Sequence, residues 1–350
     1  MAIIKGMGDF FALDIGTNAI RVVQLTSSGQ NNWHLQNYGY VPVDEKITAS
    51  SSGETQGKLG EAIMTAVGQS GIKTTDVAVG LPSNKTFTTV VDIAAANQGE
   101  LESIVKYQAD QYLPMNADDA KYDWALLGQS LHDPKKQEVL LTSVANSFSE
   151  SRLDFIEGLG FNVVALEPDP LAMTRSLLPD NMANDAKLIV EVGEVSTDIV
   201  IAYGGNPRLV RTVPTGLRSL VKAVVQNLNV KDDQARQFIL KFGLAPDKLD
   251  GQVFRAVEST LDGFVTEIVK SIKFFQTRYP STPVGGIVTS GFAAVVPRFG
   301  DYLSSKTSVA SQTGNPWQRV HVNQNDQQQL AGVASEFATV IGLAQRKSGL

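Results

Sequence analysis

The chain has 350 residues, of which 43% are hydrophobic and 19% are charged, a balance typical of a globular protein with room for two domains. It contains no cysteine, which excludes disulfides, a thiolate nucleophile and cysteine metal sites. The net charge of −6 argues against a nucleic-acid-binding face, and no apolar run approaches the ~20 residues of a membrane span. The histidines, His34, His132 and His321, share no metal-like spacing in the sequence, which argues against a zinc site.

The opening of the chain predicts a hairpin with an acidic residue at its turn. One apolar run (Phe10–Asp14) ends in Asp14, and a second (Ala19–Thr26) follows the turn Gly16-Thr17-Asn18. We expect Gly16 to allow a positive φ and to leave room for a ligand. Successive backbone N–H groups of such a turn can bind anions, and a carboxylate can hold a hydrated metal ion. The segment therefore predicts a contact with nucleotide phosphates and Mg²⁺, although a plain hairpin closed by an aspartate is the alternative.

The segments that follow predict a mixed sheet and a helix. Strands are expected at Trp33–Tyr40 and Asp76–Leu81. A polar loop (Pro42–Gly57) and a helix (Gly57–Ser70) lie between them in the sequence.

A separate α+β module is predicted next. The pattern indicates a strand at Thr86–Ile93, a helix at Gln98–Tyr112 and a hairpin of Tyr122–Leu127 with Val139–Val144. A helix at Ser149–Gly160 closes the module, because Gly160 is a typical helix end.

The second half repeats the opening hairpin. Predicted strands Leu188–Val192 and Asp198–Tyr203 flank a turn in which Glu191 precedes Gly193 by two residues, as Asp14 precedes Gly16. The two acids are 191 − 14 = 177 residues apart, about half the chain. The repeat therefore predicts two domains that hold one phosphate chain, with Asp14 and Glu191 near Mg²⁺ through water.

A third glycine turn, Ser290-Gly291, follows a predicted strand and precedes a helix. A final helix is expected at Gln328–Arg346, where small residues would allow close packing on a sheet. The candidate cofactor-binding residues are Asp14, Gly16, Thr17, Asn18, Glu191, Gly193, Ser196, Thr197, Ser290 and Gly291.

These motifs resemble the actin/sugar-kinase/Hsp70 ATPase superfamily. Asp14–Asn18 looks like its first phosphate motif, Glu191–Thr197 like its second, and Val288–Phe292 like its adenosine motif. In order and spacing, nearly the whole chain resembles the PilM family of actin-like type IV pilus assembly proteins, and the cell-division protein FtsA shares the plan. The segments that carry this resemblance include LDIGTNAIRVVQL, VAVGLPSNKTFTTVVDI, YQADQYLPMNADDAKYDWALL and VLLTSVANSFSESRLDFIEGLGFNVVALEPDPLAM.

The resemblance implies an α/β architecture, namely an actin-like (ribonuclease H-like) two-domain ATPase fold with an FtsA-type α+β insert subdomain. The implied parts are a first core (1–83), its insert (84–161), a return to the first core (162–185), a second core (186–229), a mostly helical second insert (230–283), a return to the second core (284–327) and a C-terminal helix packing on the first core (328–350).

The resemblance also implies a function. Members of the family are cytoplasmic scaffolds at the inner face of the cytoplasmic membrane, which they reach only through partners. They bind the cytoplasmic N-terminal peptide of a PilN-type membrane protein, in a groove between the first core and its insert. ATP with Mg²⁺ lies between the two cores, and a link to pilus motor ATPases is implied.

Four positions depart from the family pattern. The second phosphate motif normally begins with Asp, whereas this chain has Glu191. Phe292 stands where the adenosine motif has a glycine, and Arg236 and Ile239 stand where an acid and a lysine usually meet the nucleoside. These changes favour weak or absent ATP hydrolysis and leave ATP binding open. Arg21 is interpreted as a surface charge.

Two other functions are alternatives. A small-molecule kinase of the sugar-kinase superfamily shares the fold, but no second acid is convincingly placed as a catalytic base. An FtsA-like filament protein usually ends in a linker and an amphipathic helix, and the sequence shows neither after its last predicted helix.

Overall fold

The computed structural model describes residues 9–29, 31–50, 52–94, 97–131, 133–178 and 185–346. They fall into two compact units. Unit 1 runs up to Ser176 and resumes at Pro316, and unit 2 is the continuous stretch Leu177–Asn315. His132 lies outside the described residues, so the expectation that it does not take part in a zinc site stays a prediction.

The chain forms runs of one to three strands separated by one or more helices. The described strands are β1 Phe11–Ile15, β2 Ala19–Ser27, β3 Trp33–Pro42, β4 Asp76–Leu81, β5 Thr86–Ile93, β6 Ala120–Gln129, β7 Gln137–Ala145, β8 Asn162–Pro168, β9 Ala186–Val192, β10 Thr197–Tyr203, β11 Asn206–Val213, β12 Val284–Gly291, β13 Ser311–Thr313 and β14 Val320–His321. The described helices are α1 Glu45–Ala49, α2 Gly53–Ser70, α3 Gln98–Tyr112, α4 Asn146–Gly158, α5 Asp169–Leu177, α6 Leu217–Leu228, α7 Asp232–Phe242, α8 Gln252–Arg278, α9 Phe292–Val295, α10 Phe299–Thr307, α11 Gln324–Leu330 and α12 Ala338–Ala344.

The main sheet of unit 1 has the order β14-β3-β2-β1-β4-β8. Strands β1, β2 and β3 are antiparallel neighbours, whereas β4, β8 and β14 pair in parallel. Phe11 and Leu13 of β1 pack in the core that contains α2, and Ala12 packs in the core that contains α12. Because both faces are covered, β1 is a continuous apolar run and not an alternating one.

The predicted insert has its own sheet and core in unit 1. Its strands have the order β5-β7-β6 and are antiparallel. Leu101, Val105 and Ala109 of α3 pack with Val139 and Leu141 of β7 in a separate hydrophobic cluster. This arrangement is a small α+β subdomain.

The sheet of unit 2 repeats the plan of the first. Its order is β11-β10-β9-β12-β13, with an antiparallel meander β9-β10-β11 followed by parallel β12 and β13. Five strands of unit 1 have the corresponding order β3-β2-β1-β4-β8. Helices α6, α7 and α8 share one hydrophobic core with this sheet. The stretch expected as a second insert therefore has no separate core among the described residues, unlike the first insert.

The C-terminal part differs from the sequence prediction in two ways. Residues 316–327 lie in unit 1, because β14 pairs with β3 at one edge of the first sheet. The expected helix Gln328–Arg346 is instead α11, a 3₁₀ turn (Ala334–Phe337) and α12. Helix α11 ends near Gly332, a poor helix former, and Val333 has the non-helical φ of −130° and ψ of 1°.

The pairing of β14 with β3 also brings two histidines together. The ring centroids of His34 and His321 are 5.1 Å apart, although the residues are far apart in the sequence. Sequence spacing could not predict this contact. Within the described ranges, no group of three His, Asp or Glu side chains is placed to hold a metal ion.

Candidate functional site

The first predicted phosphate turn lies between β1 and β2 in unit 1. Strand register places Asp14 directly opposite Arg21, and the Gly16 N–H donates to the Ala19 carbonyl at 3.1 Å. The backbone carbonyl of Thr17 accepts a hydrogen bond from Thr48 Oγ1 at 3.1 Å. The turn is therefore tied to α1, a short helix inside the segment that was expected to be a loop.

Gly16 is required for a different reason from the one the sequence suggested. Its φ is not positive. A Cβ at this position would lie 2.4 Å from an NH group of Arg21 and 3.0 Å from the Ala19 carbonyl oxygen. The prediction of a positive φ is wrong, and the glycine instead leaves room for the arginine side chain.

Arg21 is buried, so its interpretation as a surface charge is also wrong. Only 5% of the residue is exposed, compared with 7% of Asp14. Arg21 donates to Asp14 Oδ2 at 3.1 Å and to Asn18 Oδ1 at 3.2 Å, and its guanidinium lies 5.5 Å from the centre of the Tyr40 ring. It also forms an ion pair with Glu336, from the 3₁₀ turn before α12. A buried cation thus lies beside the predicted phosphate turn.

Burial and charge act in opposite directions on these groups. Burial raises the pKa of the Asp14 carboxyl above its ordinary value, while the Arg21 cation lowers it to a smaller extent. Burial acts to lower the pKa of Arg21, but the Asp14 and Glu336 carboxylates outweigh it and raise that pKa. Arg21 is therefore a permanent cation of the site.

The donor set at the first turn fits a phosphate better than a bare metal ion. One oxygen of Asp14 is already paired with Arg21, and Mg²⁺ usually needs one or two carboxylates together with waters and phosphates. A guanidinium and backbone N–H groups, in contrast, are common phosphate ligands. This donor set favours a contact between Asp14 and Mg²⁺ that includes water or a phosphate.

The second predicted turn lies between β9 and β10 in unit 2. The Gly193 N–H donates to the Ser196 carbonyl at 2.9 Å. Thr197 is buried, and its hydroxyl donates to the Thr215 carbonyl at 2.6 Å, so this hydroxyl is engaged within the protein. The start of α6 covers the turn, since the Leu217 N–H donates to the Gly193 carbonyl at 3.0 Å.

Two acidic residues are cross-strand neighbours beside this turn. Register places Glu191 opposite Asp198 of β10 and beside Ser290 of β12. Asp198 accepts a hydrogen bond from the Thr212 hydroxyl at 2.7 Å. Paired carboxylates repel one another on neighbouring strands, and a hydrated divalent cation would relieve that repulsion. The metal role of Glu191 stays a prediction.

The third predicted turn ends β12. Ser290 is 1% exposed, and its hydroxyl has no hydrogen-bond partner among the described residues. Gly291 has a φ of +59°, and a Cβ there would lie 2.5 Å from the Val192 carbonyl oxygen. Glycine is required here by both backbone conformation and close packing.

An ion pair that the sequence did not predict occupies the region of the third turn. Arg236 of α7 donates to both carboxylate oxygens of Glu194, at 2.8 and 2.7 Å. Its guanidinium lies 5.4 Å from the centre of the Phe292 ring. Ile239 is buried in the core of unit 2 and is not available to a ligand. The bulky Phe292 is thus accommodated by stacking with Arg236.

Comparisons with known proteins identify both the family and the fold. The profile of the family described as type IV pilus assembly protein PilM matches residues 12–348. The solved PilM-PilN type IV pilus biogenesis complex matches with a TM-score of 0.80 and 20% identity, covering 96% of this chain and 98% of that chain.

Two further solved structures each match 95% of this chain. They are the ethanolamine utilization protein EutJ from Carboxydothermus hydrogenoformans (TM-score 0.56, 13% identity, 88% of that chain) and MreB 5 of Spiroplasma citri bound to AMPPNP (TM-score 0.53, 10% identity, 94% of that chain). At these identities the likeness shows the fold alone, and it confirms the predicted actin-like architecture. Because the family match spans nearly the whole sequence, the chain belongs to the PilM family of type IV pilus assembly proteins.

Proposed function

We propose that this chain is an actin-like scaffold of the inner-membrane assembly platform of type IV pili. In this proposal it works on the cytoplasmic side and binds the cytoplasmic N-terminal segment of a PilN-type membrane protein. The family match over residues 12–348 is the observation that carries the proposal. The solved PilM-PilN complex of the same fold supports the choice of partner. No helix in the described part of the chain is both long and apolar enough to cross a membrane.

The junction between the first core and the insert offers a surface for the peptide. Helix α4 follows β7 of the insert, and its Phe155 and Leu159 pack in the core of the first sheet. Near the start of α4, the Phe148 ring lies 5.9 Å from Lys85 Nζ and 5.5 Å from the Arg152 guanidinium. An aromatic ring with two cations nearby is a surface that can bind both apolar and polar peptide groups.

A peptide titration tests this proposal. A synthetic peptide with the N-terminal cytoplasmic sequence of the PilN-type protein should bind the full chain, whereas a scrambled peptide should not. Phe148→Ala should weaken binding by about tenfold or more, because aromatic anchors dominate such interfaces. Phe274→Ala is the matched control, since Phe274 is 67% exposed on α8 of unit 2. Equal affinity for both peptides would contradict the scaffold proposal, and equal loss in both variants would contradict the proposed surface.

For the nucleotide, we infer that ATP phosphates bind the first turn through Arg21, with little or no hydrolysis. The buried guanidinium beside Asn18 supports the phosphate contact. Glu191 and Asp198 suit a hydrated Mg²⁺. The Arg236–Glu194 ion pair supports the proposal that the nucleoside-binding part of this site differs from that of an active ATPase.

Phosphate release from ATP should stay at background, with and without the PilN-type peptide. A link to the pilus motor ATPases stays a prediction from the family resemblance.

A further inference from the structure

The first phosphate turn already holds an anion from another part of the chain. Glu336 lies 315 residues after Arg21, in the 3₁₀ turn Ala334–Phe337, and its carboxylate pairs with the Arg21 guanidinium. The same carboxylate accepts hydrogen bonds from Asn18 Nδ2 at 3.4 Å and from the Tyr40 hydroxyl at 3.3 Å. Glu336 thus contacts Asn18, a predicted phosphate-binding residue.

The neighbouring residue fixes Glu336 in this position. Phe337 is fully buried, with its ring centroid 6.2 Å from that of Tyr40 and 5.4 Å from that of Trp317. The indole N–H of Trp317 donates to the Ala334 carbonyl at 3.0 Å. The contact between Glu336 and Arg21 is therefore part of a packed segment.

The charges at this site do not balance. When both carboxyl groups are ionised, Asp14 and Glu336 place two negative charges against one guanidinium, an excess of one negative charge. The side chains of Arg21, Asp14 and Glu336 are only 6%, 10% and 16% exposed, so water screens this charge weakly. Arg21 still has an unused donor, because its buried Nε has no hydrogen-bond partner among the described residues.

We propose that Glu336 is an internal competitor for the phosphate-binding position beside Arg21. This inference rests on the proposed phosphate contact at the first turn. A phosphate chain must either displace the Glu336 carboxylate from Arg21 or bring a cation that offsets the extra negative charge. In wild-type protein, nucleotide binding therefore depends on Mg²⁺ and is weak for a site that contains a buried arginine.

Calorimetric titration of the full-length chain with Mg·ATP, and with ATP plus a chelator, tests the inference. Glu336→Gln keeps the size of the side chain and removes its charge. It should bind Mg·ATP at least about tenfold more tightly than wild type and should keep binding when Mg²⁺ is removed. Glu150→Gln makes the same charge change at a 58% exposed ion pair with Lys121, and it should bind ATP as wild type does.

A second variant covers the case in which Glu336→Gln does not fold. Tyr40→Phe removes one hydroxyl that holds Glu336 but keeps all the charges, and it should tighten Mg·ATP binding by about twofold to fivefold. Equal affinities of wild type and the folded variants would overturn the inference and leave the nucleotide site standing. An equal gain in Glu150→Gln would also overturn it, because the effect would then be one of net charge. If no variant binds ATP, both the inference and the nucleotide site are wrong, whereas the peptide titration still decides the scaffold proposal.

Discussion

At the scale of single residues, Arg21 is held by partners from two distant parts of the chain, Asp14 and Glu336. Asp14 lies near the end of β1, which continues to Ile15, one residue beyond the predicted end. Cross-strand register then puts Arg21 opposite Asp14, on the face of the sheet that α12 covers. The covering segment contributes Glu336, more than 300 residues away, so no local pattern could show that Arg21 is buried.

The buried side chain of Arg21 makes Gly16 sensitive to substitution. Gly16→Ala should lower the free energy of unfolding of unit 1 by about 1–3 kcal/mol, because the new Cβ would overlap the Arg21 guanidinium. The matched control is Gly57→Ala in α2, where a Cβ meets nothing within 4 Å. It should raise the stability by about 0.5–1 kcal/mol, because alanine is the better helix former.

Urea unfolding followed by tryptophan fluorescence measures both changes. The three tryptophans, Trp33, Trp124 and Trp317, all lie in unit 1, so the signal reports on that unit. A Gly16→Ala protein as stable as wild type would contradict the packing described for Arg21.

At the level of elements, strands and helices with a regular sequence pattern were predicted well. Strand Asp76–Leu81 and helix Gln98–Tyr112 have the predicted bounds, since each is a regular pattern between clear breaks. The prediction of one continuous final helix was wrong because the small residues in that segment have different roles. Gly342 packs against the backbone of α5, whereas Gly332 lies in a turn with open space around it.

Alanine substitutions at these two glycines test how closely α12 packs against α5. A Cβ on Gly342 would lie 1.8 Å from the Ala172 carbonyl oxygen, so Gly342→Ala must push α12 away from α5. We expect a loss of about 3 kcal/mol in the stability of unit 1, at the upper end for overpacking. Gly332→Ala should change stability by less than about 0.5 kcal/mol. The same fluorescence-detected urea titration measures both, and similar values for the two variants would argue against the close packing of α12 and α5.

At the level of the whole molecule, the repeat was the most informative sequence feature. The hairpins at Asp14 and Glu191 predicted two domains, and the structure has two units whose strand orders correspond. The sequence did not show that residues 316–327 return to unit 1, because β14 has only two residues and no pattern of its own.

Separate expression tests the division into units. Residues 177–315 should fold alone and unfold cooperatively by circular dichroism, because they contain a complete sheet and one core. Residues 9–176 should aggregate, since one face of their sheet lacks α12. Joining residues 9–176 to 316–346 through a short Gly-Ser linker should restore folding, because Gln318 donates to the Ser176 carbonyl at 3.0 Å and the joined ends lie close together. A well-folded fragment 9–176 would contradict the structural role of α12.

The return of the chain through β14 also sets an order for folding during synthesis. The sheet and core of unit 2 are complete once the ribosome has added Asn315. Ala12 and Val23, made near the beginning, must wait for α12, which is translated after the whole of unit 2. We therefore expect unit 2 to fold first on the ribosome, while the nascent first sheet keeps one apolar face open to chaperones until the last turns of the chain emerge.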